Sequence, residues 1–140
     1  MARDTLLHIA DALTHNATRR PDHPALIERS GVVVTYVEMD RLMRQTANHL
    51  LAQGIQAGDI VGLSMPDTTE HLGAMFGLFR MGAILLPMDV RWTPEEKIRI
   101  TEFFGAKAVI ADAPIEGVRT LCVDDAWRTA VAAQETDGTF

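Results

Sequence analysis

The chain reads as an α/β domain: a mostly parallel sheet covered by helices, preceded by a short N-terminal β-hairpin. Three features of the sequence predict this. A capping residue followed three positions later by Glu occurs at Thr35 and Glu38, Asp67 and Glu70, and Thr93 and Glu96. In that arrangement the first side chain satisfies an orphan amide and the Glu reaches back to the cap's own amide. Gly54, Gly82 and Gly105 stand where the ensuing helices should stop in a left-handed residue. Each glycine is followed by a continuous apolar run: IVGLS at 60–64, AILLP at 83–87 and KAVIA at 107–111. Helix-then-strand units whose strands are apolar throughout suit a parallel sheet buried on both faces and joined by right-handed crossovers.

Taken in order, residues 4–18 read as a helix starting near Asp4. ALIERSGVVVTY then reads as two short strands joined by a turn at Ser30-Gly31. The helix at 36–53 places Met39, Leu42, Met43, Leu50 and Leu51 at one-face spacing. The helix at 68–81 carries Leu72, Met75, Phe76, Leu78, Phe79 and Met81 around much of its circumference, which predicts burial on more than one side. Pro94 at the first helical position strengthens the start after Thr93. Residues 119–123 are a fourth strand of the array, and Asp124 caps a final helix running to about residue 133. The closing QETDGTF has no periodicity and reads as frayed. Residues 72–88 are 17 residues with a single charge and approach membrane-spanning length. Gly82 divides them into a helix and a strand, each too short to span, so no membrane span is expected.

A chain of 140 residues is enough for one domain with a real core. Hydrophobic residues make up 47% and charged residues 23%, which sets aside disordered and disulfide-scaffold classes. The formal charge of −6, with no basic block, makes nucleic acid an unsuitable partner. One cysteine excludes an intrachain disulfide, and the first residues lack a signal-peptide apolar core, so a reducing, cytoplasmic setting is expected.

Catalytic motifs are mostly missing, and no catalytic or metal-ligating residue is assigned. Neither phosphate-cradling pattern, G-x-x-x-x-G-K-[ST] or G-x-G-x-x-G, occurs. GLSMP at 62–66 resembles a nucleophile elbow but has Pro66 for the last glycine, which argues against a catalytic Ser64. His8, His15, His23, His49 and His71 form no zinc-ligand spacing. Cys122 lies inside LCV and reads as a buried, inert thiol. The sharpest local feature is PMDVRWTPEE at 87–96, which leads from a strand's carboxyl end into a helix N-terminus that favours anions. Arg91 and Trp92 there read either as an anion or nucleotide contact, or as a solvated cation beside a packed indole.

The series from Val32 to Asp112 resembles the opening part of the adenylate-forming superfamily, the AMP-dependent acyl-CoA synthetases and ligases. The matching pieces are Thr35-Tyr36-x-Glu38, Gly54-Ile55, Gly58-Asp59-x-Val61, Pro66, Glu70, Gly82-Ala83 with Pro87, Thr93-Pro94-Glu95-Glu96, and Ala106-Lys107. Their order and spacing carry the resemblance, which covers roughly residues 5–125. Asp67 stands where the ligases usually have Asn. Asp89-Val90 replaces a common Asn-Pro, and an aspartate there is similar to amino-acid-activating domains of peptide synthetases.

The resemblance implies a fold that is the N-terminal portion of the family's large domain, with residues 1–140 as a partial domain. It also implies a two-step reaction. A carboxylate attacks ATP, with Mg²⁺, to give an acyl-adenylate, and coenzyme A or another thiol then displaces AMP. The family's Ser/Thr/Gly-rich phosphate loop and its hinged C-terminal domain belong to later segments. The chain is therefore expected to be a fragment with the remainder of the polypeptide as partner, inactive alone and prone to self-association through uncovered apolar surface. By the same resemblance, Arg91 and Arg99 are candidate contacts to the phosphates of coenzyme A. The alternatives are an adenylation domain that loads a carrier protein, and a non-enzymatic interaction module that uses an exposed edge or the apolar helix 68–81.

Overall fold

The computed structural model describes residues 8–137. The helix start expected near Asp4 and the last three residues of the tail lie outside them. The first helix, α1 (Ile9–Arg19), is capped by His8, whose Nδ1 accepts from the Ala10 amide at 3.2 Å. An antiparallel hairpin follows, β1 (Pro24–Ile27) with β2 (Val33–Thr35), turning through Gly31 at φ 91°. Then come α2 (Tyr36–Ala52), β3 (Ile60–Ser64), α3 (Thr69–Met81), β4 (Ile84–Pro87), α4 (Pro94–Phe104), β5 (Ala108–Ala111), β6 (Thr120–Cys122) and α5 (Asp125–Ala132).

Local chemistry sets most of these boundaries. Both capping boxes at Thr35/Glu38 and Thr93/Glu96 form, and Gly82 and Gly105 end α3 and α4 in the left-handed region. The expected box at Asp67 and Glu70 does not form. Thr68 caps α3 instead, its hydroxyl accepting from the His71 amide at 3.2 Å. Glu70 turns away to bind Arg128 at 2.7 and 3.1 Å, because a bidentate charged partner outcompetes a single backbone amide. Asp124 caps α5, accepting from the Trp127 amide at 2.9 Å.

The four strands of the main sheet are all parallel, in the order β4-β3-β5-β6. On one face, Val61, Leu63, Ala108, Ile110, Leu121 and Val123 pack against Leu50 of α2, Ala74, Leu78 and Met81 of α3, and Trp127 and Val131 of α5. On the other face, Met88, Val109, Ala111 and Ile115 gather Leu86, Trp92 and Val118. A third cluster joins α1 and α2, Ala10, Leu13, Met39 and Met43, to Val34 and Tyr36 at the hairpin and Leu72 and Phe76 of α3. The helix α3 is thus covered on several sides, as its all-round apolarity predicts, and offers no free apolar face. It approaches α2 through glycines: a Cβ on Gly77 would lie 3.1 Å from Thr46 Cγ2 and 3.2 Å from the Ala47 nitrogen. Among the described residues no helix is long and apolar enough to cross a membrane, since Gly82 separates α3 from β4.

From β3 the chain crosses by α3 to β4 on one side. It then returns by α4 past β3 to β5 on the other. Right-handed connections running in opposite directions place α3 and α4 on opposite faces. The strand order reverses between β3 and β5, and the crevice outside their carboxyl ends is where such sheets bind ligands.

Candidate functional site at the carboxyl edge of the sheet

Two helices begin at this edge, and they differ in what occupies their first turn. At α3 the Glu28 carboxylate, from the end of the hairpin, accepts from the Thr69 amide at 3.2 Å and from the Thr69 hydroxyl. These bonds, with one from Ser30, hold its carboxyl below the usual carboxylate range. The positive end of α3 therefore already carries an internal anion.

At α4 the equivalent position is taken by the helix's own Glu96, whose carboxylate accepts from the Thr93 amide at 2.8 Å. The loop between β4 and α4 is folded around Asp89. Its Oδ1 accepts from the Arg91 amide at 2.8 Å and from Arg91 Nε at 3.0 Å, and its Oδ2 accepts from Nη2 at 2.7 Å. This fork lowers the Asp89 pKa to about 2 and raises that of Arg91. The Arg91 side chain remains 86% exposed, so one edge of its guanidinium is held while the rest faces solvent. Lys97 Nζ donates to the Val90 carbonyl at 3.3 Å and fastens the loop to α4.

Trp92 follows Arg91 in the same loop. It is half-buried against Met88 and Val109 and their neighbours, so its ring is chiefly a packing element. Arg99 is exposed in the second turn of α4 and makes no hydrogen bond or ion pair among the described residues. Arg91 and Arg99 thus share one helix and its entry loop, with no direct bond between them. Beneath the edge, Ser64 is 1% exposed at the end of β3, in register with Ala111, and its Oγ has no partner among the described residues. Closed off in this way, it is unsuited to attack a bound substrate.

Cys122 corrects an expectation. It is half-buried on the edge strand β6 rather than fully enclosed, because no other described strand pairs with β6 on its outer side. Burial, reinforced by Asp124 and Asp112, still pushes its thiol pKa up, the opposite of an activated cysteine. Among the described residues no group of three His, Cys, Asp or Glu side chains could hold a metal ion.

Three of the tertiary links that sequence reasoning missed involve α3 or α5. These are Glu28 to Thr69, Glu70 to Arg128, and His49 packed edge-on against Trp127 with ring centroids 4.7 Å apart. Spacing carries no signal for such contacts, since each joins side chains at least 41 residues apart.

Comparison with known proteins adds a second line of observation. Residues 13–138 match the AMP-binding enzyme family. Phosphinothricin tripeptide synthetase PhsC of Streptomyces viridochromogenes is 32% identical over 132 residues, 89% of this chain and 12% of that protein. Long-chain-fatty-acid–CoA ligase FadD13 of Mycobacterium tuberculosis is 36% identical over 103 residues, 73% of this chain and 20% of that protein. The solved fatty acyl CoA synthetase of Mycobacterium tuberculosis superposes with a TM-score of 0.82 at 28% identity, covering 93% of this chain and 29% of that one. The chain therefore spans one fifth or less of the length of these two curated relatives.

Proposed function

Since the chain belongs to the AMP-binding enzyme family, we propose that it forms the partial N-terminal domain of an ATP-dependent carboxylic acid:CoA ligase. In this reading a small-molecule carboxylate attacks ATP to give an acyl-adenylate and pyrophosphate. The thiol of coenzyme A then attacks the acyl carbon and displaces AMP. The observation that carries the proposal is the family match across residues 13–138, with an acyl-CoA ligase 36% identical over 73% of the chain.

The chain's own residues have a limited part in this chemistry. No phosphate-cradling loop lies in the sequence, and no metal-ligand cluster lies among the described residues, so ATP and Mg²⁺ are assigned to the remainder of the polypeptide. The 140-residue chain alone is assigned no adenylating activity.

What it offers is the entry to α4. The solvent-facing side of the Arg91 guanidinium and the exposed Arg99 present positive charge on α4 and its entry loop, beside the Glu95 and Glu96 carboxylates of the first turn. Arg91 and Arg99 are therefore assigned to the phosphates of coenzyme A. Asp89 opposes this, because a phosphate must compete with a carboxylate already forked onto Arg91. In the family-length protein, Arg91→Ala together with Arg99→Ala should raise the KM for coenzyme A while carboxylate-dependent ATP–pyrophosphate exchange persists. An unchanged KM would remove both residues from the site.

A second reading rests on the tripeptide synthetase, 32% identical over 89% of the chain. There the acceptor would be the phosphopantetheine thiol of a carrier protein. Thioester formation on free coenzyme A, compared with loading of a carrier domain, separates the two.

A further inference from the structure

Asp89 stands two residues before Arg91, in a loop fixed to the core at both ends. Met88 is 6% exposed, its amide donates to the Leu63 carbonyl at 3.0 Å, and its side chain lies in the cluster that also gathers Trp92. The Trp92 amide donates to the Asp89 carbonyl at 3.2 Å. Within that frame Asp89 Oδ1 accepts from the Arg91 amide at 2.8 Å as well as from Arg91 Nε. The main-chain bond that closes the turn therefore also holds the carboxylate against the guanidinium.

A guanidinium offers two edges to an oxyanion, Nε with Nη2 and Nη1 with Nη2. Asp89 takes the first, with Oδ1 on Nε at 3.0 Å and Oδ2 on Nη2 at 2.7 Å. A phosphate is left the second, beside a carboxylate that already neutralises the cation. The surroundings add no net attraction. Residues 89–99 set three carboxylates, Asp89, Glu95 and Glu96, against Arg91, Lys97 and Arg99. Glu96 occupies the Thr93 amide, and Lys97 Nζ donates to the Val90 carbonyl. Loss of the Asp89 charge alone would free an edge of Arg91 and leave the segment with one net positive charge.

We propose that Asp89 is a specificity-determining residue for the thiol acceptor. It holds the edge of Arg91 that a phosphate would take, and so weakens the grip on coenzyme A relative to an acceptor with the same thiol arm and no phosphate. The inference rests on the ligase reading, with Arg91 on the phosphates of coenzyme A. Selectivity here comes from a repulsive group placed inside the site rather than from an added contact.

The test compares coenzyme A with pantetheine, which has the thiol arm without phosphate, as acceptors for the family-length protein. Asp89→Asn keeps an oxygen that can accept from the Arg91 amide, so the turn persists while the charge is lost. Asp89→Ser does the same with a hydroxyl. Exposed ion pairs contribute little, so each variant should lower the KM for coenzyme A by about two- to fivefold and leave that for pantetheine unchanged. With Arg91→Ala already in place, Asp89→Asn should produce no fall. A fall for both acceptors alike, or none for coenzyme A, while Arg91→Ala still raises the KM for coenzyme A, would overturn the inference and leave Arg91 assigned as before. If Arg91→Ala also leaves that KM unchanged, Arg91 is no contact to coenzyme A, and the assignment fails together with the inference.

Discussion

Glu28 at the end of the hairpin and Thr69 in the first turn of α3 are bonded through both the amide and the hydroxyl of Thr69. The contact pins a two-stranded hairpin, which is too small to be stable alone, to the helix that starts at the sheet's carboxyl edge.

Removing that carboxylate should loosen the hairpin. Glu28→Gln lowers the thermal midpoint by a few degrees, and the wild-type advantage has a defined pH dependence. Because folding lowers the Glu28 pKa, the stabilisation is present above the ordinary carboxylate value and is lost as the pH falls through the lowered one. Equal midpoints for the two proteins near neutral pH would contradict the role.

Gly77 tests the α2–α3 contact. Alanine is favoured over glycine in a helix by about 1 kcal/mol. At this site its Cβ would press on Thr46 and on the main-chain nitrogen of Ala47, which cannot swing aside. Overpacking costs about 1–3 kcal/mol, so Gly77→Ala should be net destabilising in chemical denaturation. A more stable variant would show that the helices can separate freely.

His49 gives the fold a second pH dependence, at higher pH. It is 7% exposed and packed on Trp127, and burial pushes its pKa below the usual 6.5. The unfolded chain therefore binds the proton more readily. Stability should fall as the pH drops below about 6.5, levelling off once the folded histidine has also charged. Trp127 fluorescence during denaturation at several pH values reads this, and His49→Phe should remove the dependence in that window.

Asp89 and Arg91 form a pair whose strength shows in titration. Carboxyl-carbon NMR should find Asp89 titrating near pH 2, and Arg91→Ala should return it toward the ordinary aspartate range. Any stability gained from the pair is present above that ordinary range and fades as the pH falls to about 2. An Asp89 that titrates normally in the wild type would mean the loop is not folded around it.

Much of this architecture was legible in the residues because it is set locally. The box at Thr93/Glu96 and the stop at Gly105 each fix a terminus by bonds within a few positions, and IVGLS at 60–64 became β3 without adjustment. The box at Asp67/Glu70 misled for a physical reason: Glu70 had a better partner in Arg128, 58 residues away. The loop at 87–96 was visible as the sharpest local feature, yet its Asp89–Arg91 fork and the inward packing of Trp92 depend on backbone geometry that spacing does not encode. Likewise, nothing in Glu28 itself marks it as the anion of α3.

The central claim is that these residues belong to an enzyme that activates carboxylates with ATP. Its most direct test is carboxylate-dependent exchange of labelled pyrophosphate into ATP, measured for the 140-residue chain and for the polypeptide extended beyond Phe140 to family length. A panel of fatty, aromatic and amino acids serves as substrate. The account predicts exchange with at least one acid in the extended protein and none in the 140-residue chain. Exchange by the short chain, or its absence from the extended protein across the whole panel, would contradict it.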